Sequence, residues 1–128
     1  KGNGEIIYAG AKKISSDLPK FLAEFGYNVR RYILYDTILS KSLNKEFIRL
    51  VNKKELKWII LLSKKGAENS AKLIFKTFSY EKIKLIKFAC LSLNIAEALP
   101  KNSNIYYPKI PNIRELVKII NSEDKNGL

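Results

Sequence analysis

The hydrophobic positions of this chain form two kinds of pattern that alternate along it. Continuous apolar runs predict strands near residues 5–9, 27–38, 57–62, 85–91 and 104–107. Between them, apolar residues recur every three or four positions, as in Ala67, Ala71, Ile74 and Phe78, which is typical of helices. Helices are predicted at residues 15–25, 43–51, 67–78, 93–99 and 113–120. This alternation predicts an α/β protein with a parallel sheet and flanking helices.

In such a sheet, the loops that follow the strands are expected to bind the ligand. They fall at residues 10–15, 63–66, 92–94 and 108–112. Ser63 closes a strand, precedes a helix and is followed by two lysines, so two interpretations stay open: an N-cap, or a ligand for an anion at the helix N-terminus. In the last loop, Asn112 with Glu115 three residues later predicts a capping box.

The chain is strongly basic, with a formal net charge of +12 over 128 residues. Charge of this size favours an anionic partner, such as a nucleic acid, an acidic membrane surface or a polycarboxylate ligand. The other interpretation is a solvated coat of lysines, because only four of the 24 basic residues are arginines. Charge alone does not separate these alternatives.

The residues that several classes of chemistry require are absent from this sequence. Histidine is absent, which removes the commonest metal ligand and acid–base group, so we expect no metal site. The single cysteine, Cys90, lies in an apolar run and is predicted to be a small buried residue. No glycine-rich nucleotide motif and no serine-hydrolase elbow occurs. The longest apolar run, residues 58–62, is far too short for a membrane helix. Methionine is also absent, so we expect a piece of a longer protein.

Five segments, in order, resemble the C-terminal half of the uroporphyrinogen-III synthases. Residues 6–29 resemble the strand–glycine–helix unit of that family, and residues 33–37, ILYDT, resemble its V-Y-x-T strand. Residues 59–66, with Ser63 and Gly66, resemble its FTSPSG turn. Residues 88–99, FACLSLNIAEAL, resemble FAAIGPTTAxAL, and residues 111–116, PNIREL, resemble its closing PTxxxL.

The resemblance implies a two-lobed α/β enzyme of the cytoplasm with its substrate in the cleft between the lobes. The chain would be the C-terminal half: residues 1–34 would end one lobe and include the crossover strand, and residues 35–128 would form the second lobe. A β-α-β unit parted from its own lobe would need partner strands. A homo-oligomer or a domain swap is therefore an expectation for this chain by itself.

The resemblance also implies a hydro-lyase of tetrapyrrole and haem biosynthesis that needs no metal and no cofactor. Such an enzyme closes the linear polycarboxylate hydroxymethylbilane into uroporphyrinogen III, inverting ring D and losing water. Tyr35, on the crossover strand, matches the family's candidate proton donor. The residues expected to bind the substrate are Gly10, Lys12, Lys13, Ser63, Lys64, Lys65, Gly66, Ser92, Asn94 and Asn112.

The sequence departs from the family pattern at several positions in its motifs, and Lys64 and Lys65 stand in place of the proline and serine of the SPSG turn. Ser92 replaces a glycine, Asn94 and Ile95 replace two threonines, and Asn112 replaces a third. These changes leave a catalytically inactive, synthase-like scaffold as one alternative. A basic nucleic-acid-binding module is the other, although the sequence has no RNA-binding signature and its aromatic residues mostly have core spacing.

Overall fold

The structure is a computed structural model that describes residues 5–9, 17–25, 30–32 and 45–126. Its strands are β1 (Glu5–Ala9), β2 (Arg30–Tyr32), β3 (Leu56–Leu61), β4 (Lys87–Cys90) and β5 (Asn104–Tyr106). Its helices are α1 (Asp17–Glu24), α2 (Lys45–Asn52), α3 (Lys64–Thr77), α4 (Tyr80–Ile83), α5 (Leu93–Ala96) and α6 (Ile113–Asn126). The alternation of strands and helices confirms the predicted α/β class.

The five strands form one parallel sheet in the order β2-β1-β3-β4-β5. From β1 the chain moves outward to β2, and it then returns to the other side of β1 to begin β3. The carboxyl ends of β1 and β3 therefore flank the point where the strand order reverses. In open α/β sheets, ligands bind in the crevice at that point.

Helices cover both faces of the sheet, and the alternation of side chains along β3 supplies both cores. Ile59 and Leu61 belong to a cluster that the buried residues of α2, α3 and α5 also form. Trp58 and Ile60 belong to a second cluster with Leu22 of α1 and three residues of α6, Leu116, Val117 and Ile120. A continuous apolar run is thus required in β3 because both of its faces are buried.

Helix α2 ends in a Schellman motif that turns the chain into β3. The Glu55 N–H donates to the Leu50 carbonyl at 3.0 Å, and the Lys54 N–H donates to the Val51 carbonyl at 3.0 Å. This geometry holds Lys54 at a φ of 60°. Glycine is the usual residue at such a position because it has no Cβ to clash with the backbone.

The β-α-β unit at the start of the chain shares its sheet with the rest of the described residues. Strand β1 pairs with β2 on one side and with β3 of the same chain on the other, as in Tyr8 opposite Ile60. Within this chain, β1 therefore has a paired strand on each side, and the homo-oligomer or domain swap stays a prediction. The predicted lobe boundary at residues 34 and 35 lies outside the described residues, and the two-lobed architecture stays a prediction.

Several predicted elements differ in extent from those observed; for example, α3 begins at Lys64 rather than at residue 67, and α5 ends at Ala96 rather than at residue 99. A strand was predicted from residue 85, but β4 begins at Lys87, and the one-turn helix α4 precedes it. The last helix was predicted to end at residue 120, but α6 continues through a polar stretch to Asn126. The long extended run predicted at residues 27–38 is described only at β2. A polar segment can prolong a helix whose preceding turns are already anchored, because each added residue gains one hydrogen bond.

Candidate functional site

Those of the predicted ligands that the structure describes lie at the carboxyl edge of the sheet. Ser63 follows β3 and is the N-cap of α3, with an extended backbone at φ −140° and ψ 151°. Its Oγ accepts a hydrogen bond from the Gly66 N–H at 3.0 Å, and its carbonyl accepts from the Ala67 N–H at 3.0 Å. The structure thus confirms the capping interpretation. The hydroxyl still carries its own hydrogen, which can be donated to a carboxylate.

Ser92 repeats this arrangement after the neighbouring strand. It follows β4 as the N-cap of α5, and its Oγ accepts from the Ile95 N–H at 3.3 Å. Strands β3 and β4 are paired so that Leu61 lies opposite Cys90, and the Leu91 N–H donates to the Leu61 carbonyl at 3.1 Å. The two strand ends therefore place two serine-capped turns next to each other.

The third cap at this edge is Asn112, which lies between β5 and α6. Its Oδ1 accepts from the Glu115 N–H at 3.1 Å, and its carbonyl accepts from the Leu116 N–H at 3.0 Å. The Glu115 carboxylate accepts a hydrogen bond from Lys118 Nζ at 3.2 Å. Of the predicted capping box, the structure shows the bond made by the Asn112 side chain.

Positive charge and backbone donors meet at the start of α3. Lys64 and Lys65 are exposed in its first turn, and Gly66 is buried beneath them. The first N–H groups of a helix have no partner within the helix, and its dipole makes this end positive. The Ser63 side chain takes the Gly66 N–H. The N–H groups of Lys64 and Lys65 are therefore the ones that a carboxylate could take.

Of the remaining predicted ligands, the structure describes only Asn94. Asn94 is exposed in α5, next to the Ser92 cap. Gly10, Lys12 and Lys13 lie outside the described residues, as does Tyr35. Gly10 follows Ala9, the last residue of β1, which runs beside β3. The roles of these four residues stay predictions.

Sequence reasoning missed an apolar groove beside the Asn112 cap. The groove has a volume of about 600 Å³ and lies between α6 and the loop after β5; Pro108, Lys109, Ile110, Asn112, Glu115, Lys118, Ile119 and Ser122 line it. Ile110 is 73% exposed, which is high for so large an apolar side chain. The isoleucine between two prolines was the available signal, because such a segment cannot join a central strand or a helix.

Cys90 lies at the end of β4, directly below this edge, but it is fully buried. Burial raises the pKa of its thiol from 9.0 to about 12. At neutral pH the group is therefore a protonated, poorly nucleophilic thiol. The prediction of a small buried residue is confirmed.

Among the described residues, no helix combines the length and the apolar content needed to cross a membrane. In the same residues, cysteine and acidic side chains form no group of three or more that could hold a metal ion.

Comparison with known families identifies the chain. It matches the family model described as uroporphyrinogen-III synthase HemD over residues 1–118. The chain belongs to the uroporphyrinogen-III synthase family. The match spans all five strands and the first part of α6, so the family resemblance of the motifs is confirmed across the whole sheet. No curated protein and no solved structure matches the chain.

Because the chain belongs to this family, the replacement of a family threonine by Ile95 can be interpreted. The segment at residues 88–99 forms β4, the Ser92 cap and α5. Ile95 is 7% exposed and packs in the core cluster that also contains Leu99. Its side chain therefore serves packing, while its backbone N–H is held by Ser92. The polar contacts available at this strand end come from Ser92 and Asn94.

Proposed function

We propose that the protein is a uroporphyrinogen-III synthase, which closes hydroxymethylbilane into uroporphyrinogen III with inversion of ring D and loss of water. The observation that carries this proposal is the coincidence of family motifs with capped strand ends. Ser63, Ser92 and Asn112 stand in three separate family segments, and each caps a helix at the carboxyl edge of the sheet.

The substrate is a polycarboxylate, and this edge offers the groups that bind carboxylates. The hydroxyls of Ser63 and Ser92, the N–H groups of the first turn of α3 and two lysine ammonium groups lie along it. Fixed N–H donors stabilise an anion without having to reorganise when it binds. Gly10, Lys12 and Lys13 would extend this binding surface after β1.

Exposed apolar side chains accompany these polar groups. Leu93 is 51% exposed at the start of α5, Tyr107 is 42% exposed after β5, and Ile110 lies beside Asn112. Pyrrole rings are flat and largely apolar, so such side chains suit the rings as the N–H groups suit their carboxylates. The mixed character of the edge supports a tetrapyrrole precursor over a simple anion.

Tyr35 is the proposed proton donor. A tyrosine phenol is protonated at neutral pH, because its ordinary pKa is about 10. When the C–O bond of the substrate's hydroxymethyl group breaks, the phenol would donate its proton so that the hydroxyl leaves as water. The protein holds the substrate in a closed geometry during this step, which contributes through orientation.

The test is a coupled assay on the complete protein that starts from hydroxymethylbilane and separates type I from type III product. We expect type III product, a slower reaction in Tyr35→Phe, and a raised KM in Lys64→Gln with Lys65→Gln. The matched control is Lys72→Gln, an exposed lysine farther along α3, which should leave KM unchanged.

Three results would count against parts of this proposal. Type I product alone would indicate the catalytically inactive scaffold, for which the buried Ile95 at a threonine position is the motivating observation. Full activity in Tyr35→Phe would remove the proton-donor role and leave orientation as the main contribution. An equal rise of KM in Lys72→Gln would point to general charge rather than to the first turn of α3.

A further inference from the structure

Among the described residues, a concentration of positive charge lies at the opposite edge of the sheet from the candidate site. Residues 52–57, 76–87 and 101–104 form the ends of α2, α3 and α4 and the starts of β3, β4 and β5 at the amino edge. We call them the basic surface. They contain eight lysines and two glutamates, a net charge of +6. One of these lysines, Lys87, lies on the other face of the sheet, with its Nζ 5.4 Å from the ring centre of Trp58. The carboxyl-edge segments, residues 62–66, 91–95 and 107–112, contain three lysines and no acid.

Contacts within the basic surface hold its parts together. Lys82 Nζ donates to Asn52 Oδ1 at 2.6 Å, which joins α4 to the end of α2. Asn104 Nδ2 donates to the Lys84 carbonyl at 2.7 Å, which joins the same turn to the start of β5. The lysines are therefore carried by one connected framework rather than by separate loops.

Both glutamates of the basic surface have a basic neighbour. Glu81 pairs with Lys84 at 2.8 Å, and Glu55 lies 3.8 Å from Arg49. Of the other acidic residues near this end of the sheet, Glu24 in α1 and Glu123 in α6 lie on the opposite face, and Glu5 begins β1 beside Leu56 of β3. With eight lysines and two glutamates, the basic surface presents a net positive field that attracts an anionic partner over several ångströms.

Exposed apolar residues lie among the lysines. Tyr80 is 49% exposed and Leu85 is 47% exposed. The Lys84 N–H donates to the Tyr80 carbonyl at 2.9 Å, and Leu85 directly follows this turn. An aromatic and an aliphatic side chain bordered by polar groups match the apolar centre and polar rim of a protein interface. Nucleic-acid surfaces favour arginine for phosphate, whereas every basic residue here is a lysine.

Lys54 adds an independent observation. It is held at a φ of 60° in the Schellman motif, where glycine would cost less. A side chain kept at a strained, exposed position is often kept for what the side chain does. Here it adds an ammonium group to the basic surface.

From these observations we propose that the basic surface binds an acidic, partly apolar segment of a partner protein. Charge complementarity brings the partner to the surface, and Tyr80 with Leu85 provides the apolar contact. This interaction does not rest on the proposed synthase activity, because it uses the opposite edge of the sheet.

The test is fluorescence anisotropy on the complete protein with a labelled, glutamate-rich peptide that carries two leucines. We expect binding that weakens with salt, and a loss of about tenfold or more in affinity in Lys53→Glu with Lys82→Glu. The control, Lys45→Glu with Lys72→Glu, makes the same change of net charge elsewhere on α2 and α3 and should alter affinity by less than about twofold. Leu85→Ser should weaken the leucine peptide more than a leucine-free version. Circular dichroism checks that each variant is folded.

Four outcomes would overturn the proposal. Equal weakening by both charge pairs would mean an unspecific lysine coat. An oligouridylate of the same charge that binds as tightly as the peptide would indicate nucleic acid. Self-association of the protein that Lys53→Glu with Lys82→Glu abolishes would indicate a second copy as the occupant. Absence of peptide binding at low salt would show that the basic surface does not bind an acidic segment.

Discussion

Ser63 and Ser92 occupy equivalent positions at the ends of two hydrogen-bonded parallel strands. Each lies two residues beyond the paired residues Leu61 and Cys90, and each accepts a hydrogen bond from the N–H three residues ahead. Neighbouring strands lie about 5 Å apart. Two capped turns therefore present their backbone donors side by side, which a single strand end could not do.

The first prediction separates capping from substrate binding at Ser63. Ser63→Asp should keep the free energy of unfolding within about 0.5 kcal/mol, because aspartate caps as well as serine and suits the positive end of the dipole. Its carboxylate would repel a polycarboxylate, so KM should rise several-fold with a smaller change in kcat. Steady-state kinetics and urea unfolding measure the two effects.

Ser63→Ala is the matched variant for that experiment. Loss of the bond to the Gly66 N–H should cost about 1 kcal/mol of stability. If Ser63→Asp leaves KM unchanged, the substrate does not approach the start of α3.

The second prediction tests the packing of α1 against the rest of the sheet. Leu22 is fully buried in the cluster that contains Trp58 and Leu116, and Arg114 of α6 lies 5.6 Å from the ring centre of Phe21. Leu22→Ala should therefore lower the free energy of unfolding by about 2–5 kcal/mol. The control is Lys20→Ala, an exposed position of the same helix, where urea unfolding should show a change below about 0.5 kcal/mol. Similar, small effects of both variants would contradict the observed place of the β-α-β unit.

The third prediction concerns the strained lysine at the end of α2. Lys54→Gly should stabilise the protein by about 0.5–1 kcal/mol, because glycine adopts a φ of 60° without a steric cost. Lys53→Gly is the control, because Lys53 precedes the left-handed position. This substitution should lower the free energy of unfolding by about the usual cost of a glycine. Thermal and urea unfolding of both variants, compared at equal ionic strength, decide whether the conformation of Lys54 is strained.

The fourth prediction is a pH dependence that comes from Cys90. The thiol ionises near 9.0 in the unfolded chain but only near 12 when buried, so between these values the unfolded state binds fewer protons. Stability from this group is complete below pH 9 and is lost as pH rises towards 12. Between pH 8 and about 10.5, the wild type should lose about 2 kcal/mol more than Cys90→Ala. Parallel curves for the two proteins would show that the thiol is accessible in the folded state.

Local patterns were enough to predict much of the fold. The run from Trp58 to Leu62 predicted a strand, and its burial on both faces is what makes it continuously apolar. The spacing of Ala67, Ala71 and Ile74 predicted α3, and all three are buried. Asn112 was predicted to be a cap, and a cap was one of the two interpretations of Ser63, because a cap depends on residues within one turn.

Features that depend on single turns or on distant pairing escaped the sequence analysis. Helix α4 has four residues, too few to show a hydrophobic period. The left-handed lysine at the end of α2 carries no sequence signal, because glycine is the residue that would mark such a position. The groove beside α6 exists only because the loop after β5 lies against that helix.

By itself, the sequence determined the class of the protein: an α/β chain of the uroporphyrinogen-III synthase family with capped helices after its strands and an excess of lysine. The tertiary structure decided which strands are neighbours. It placed β1 beside β3, set Ser63 next to Ser92, and gathered half of the net charge at the amino edge, away from the candidate site. Caps and periods arise from contacts within a few residues, whereas strand order depends on contacts between residues far apart in the chain, which no local pattern records.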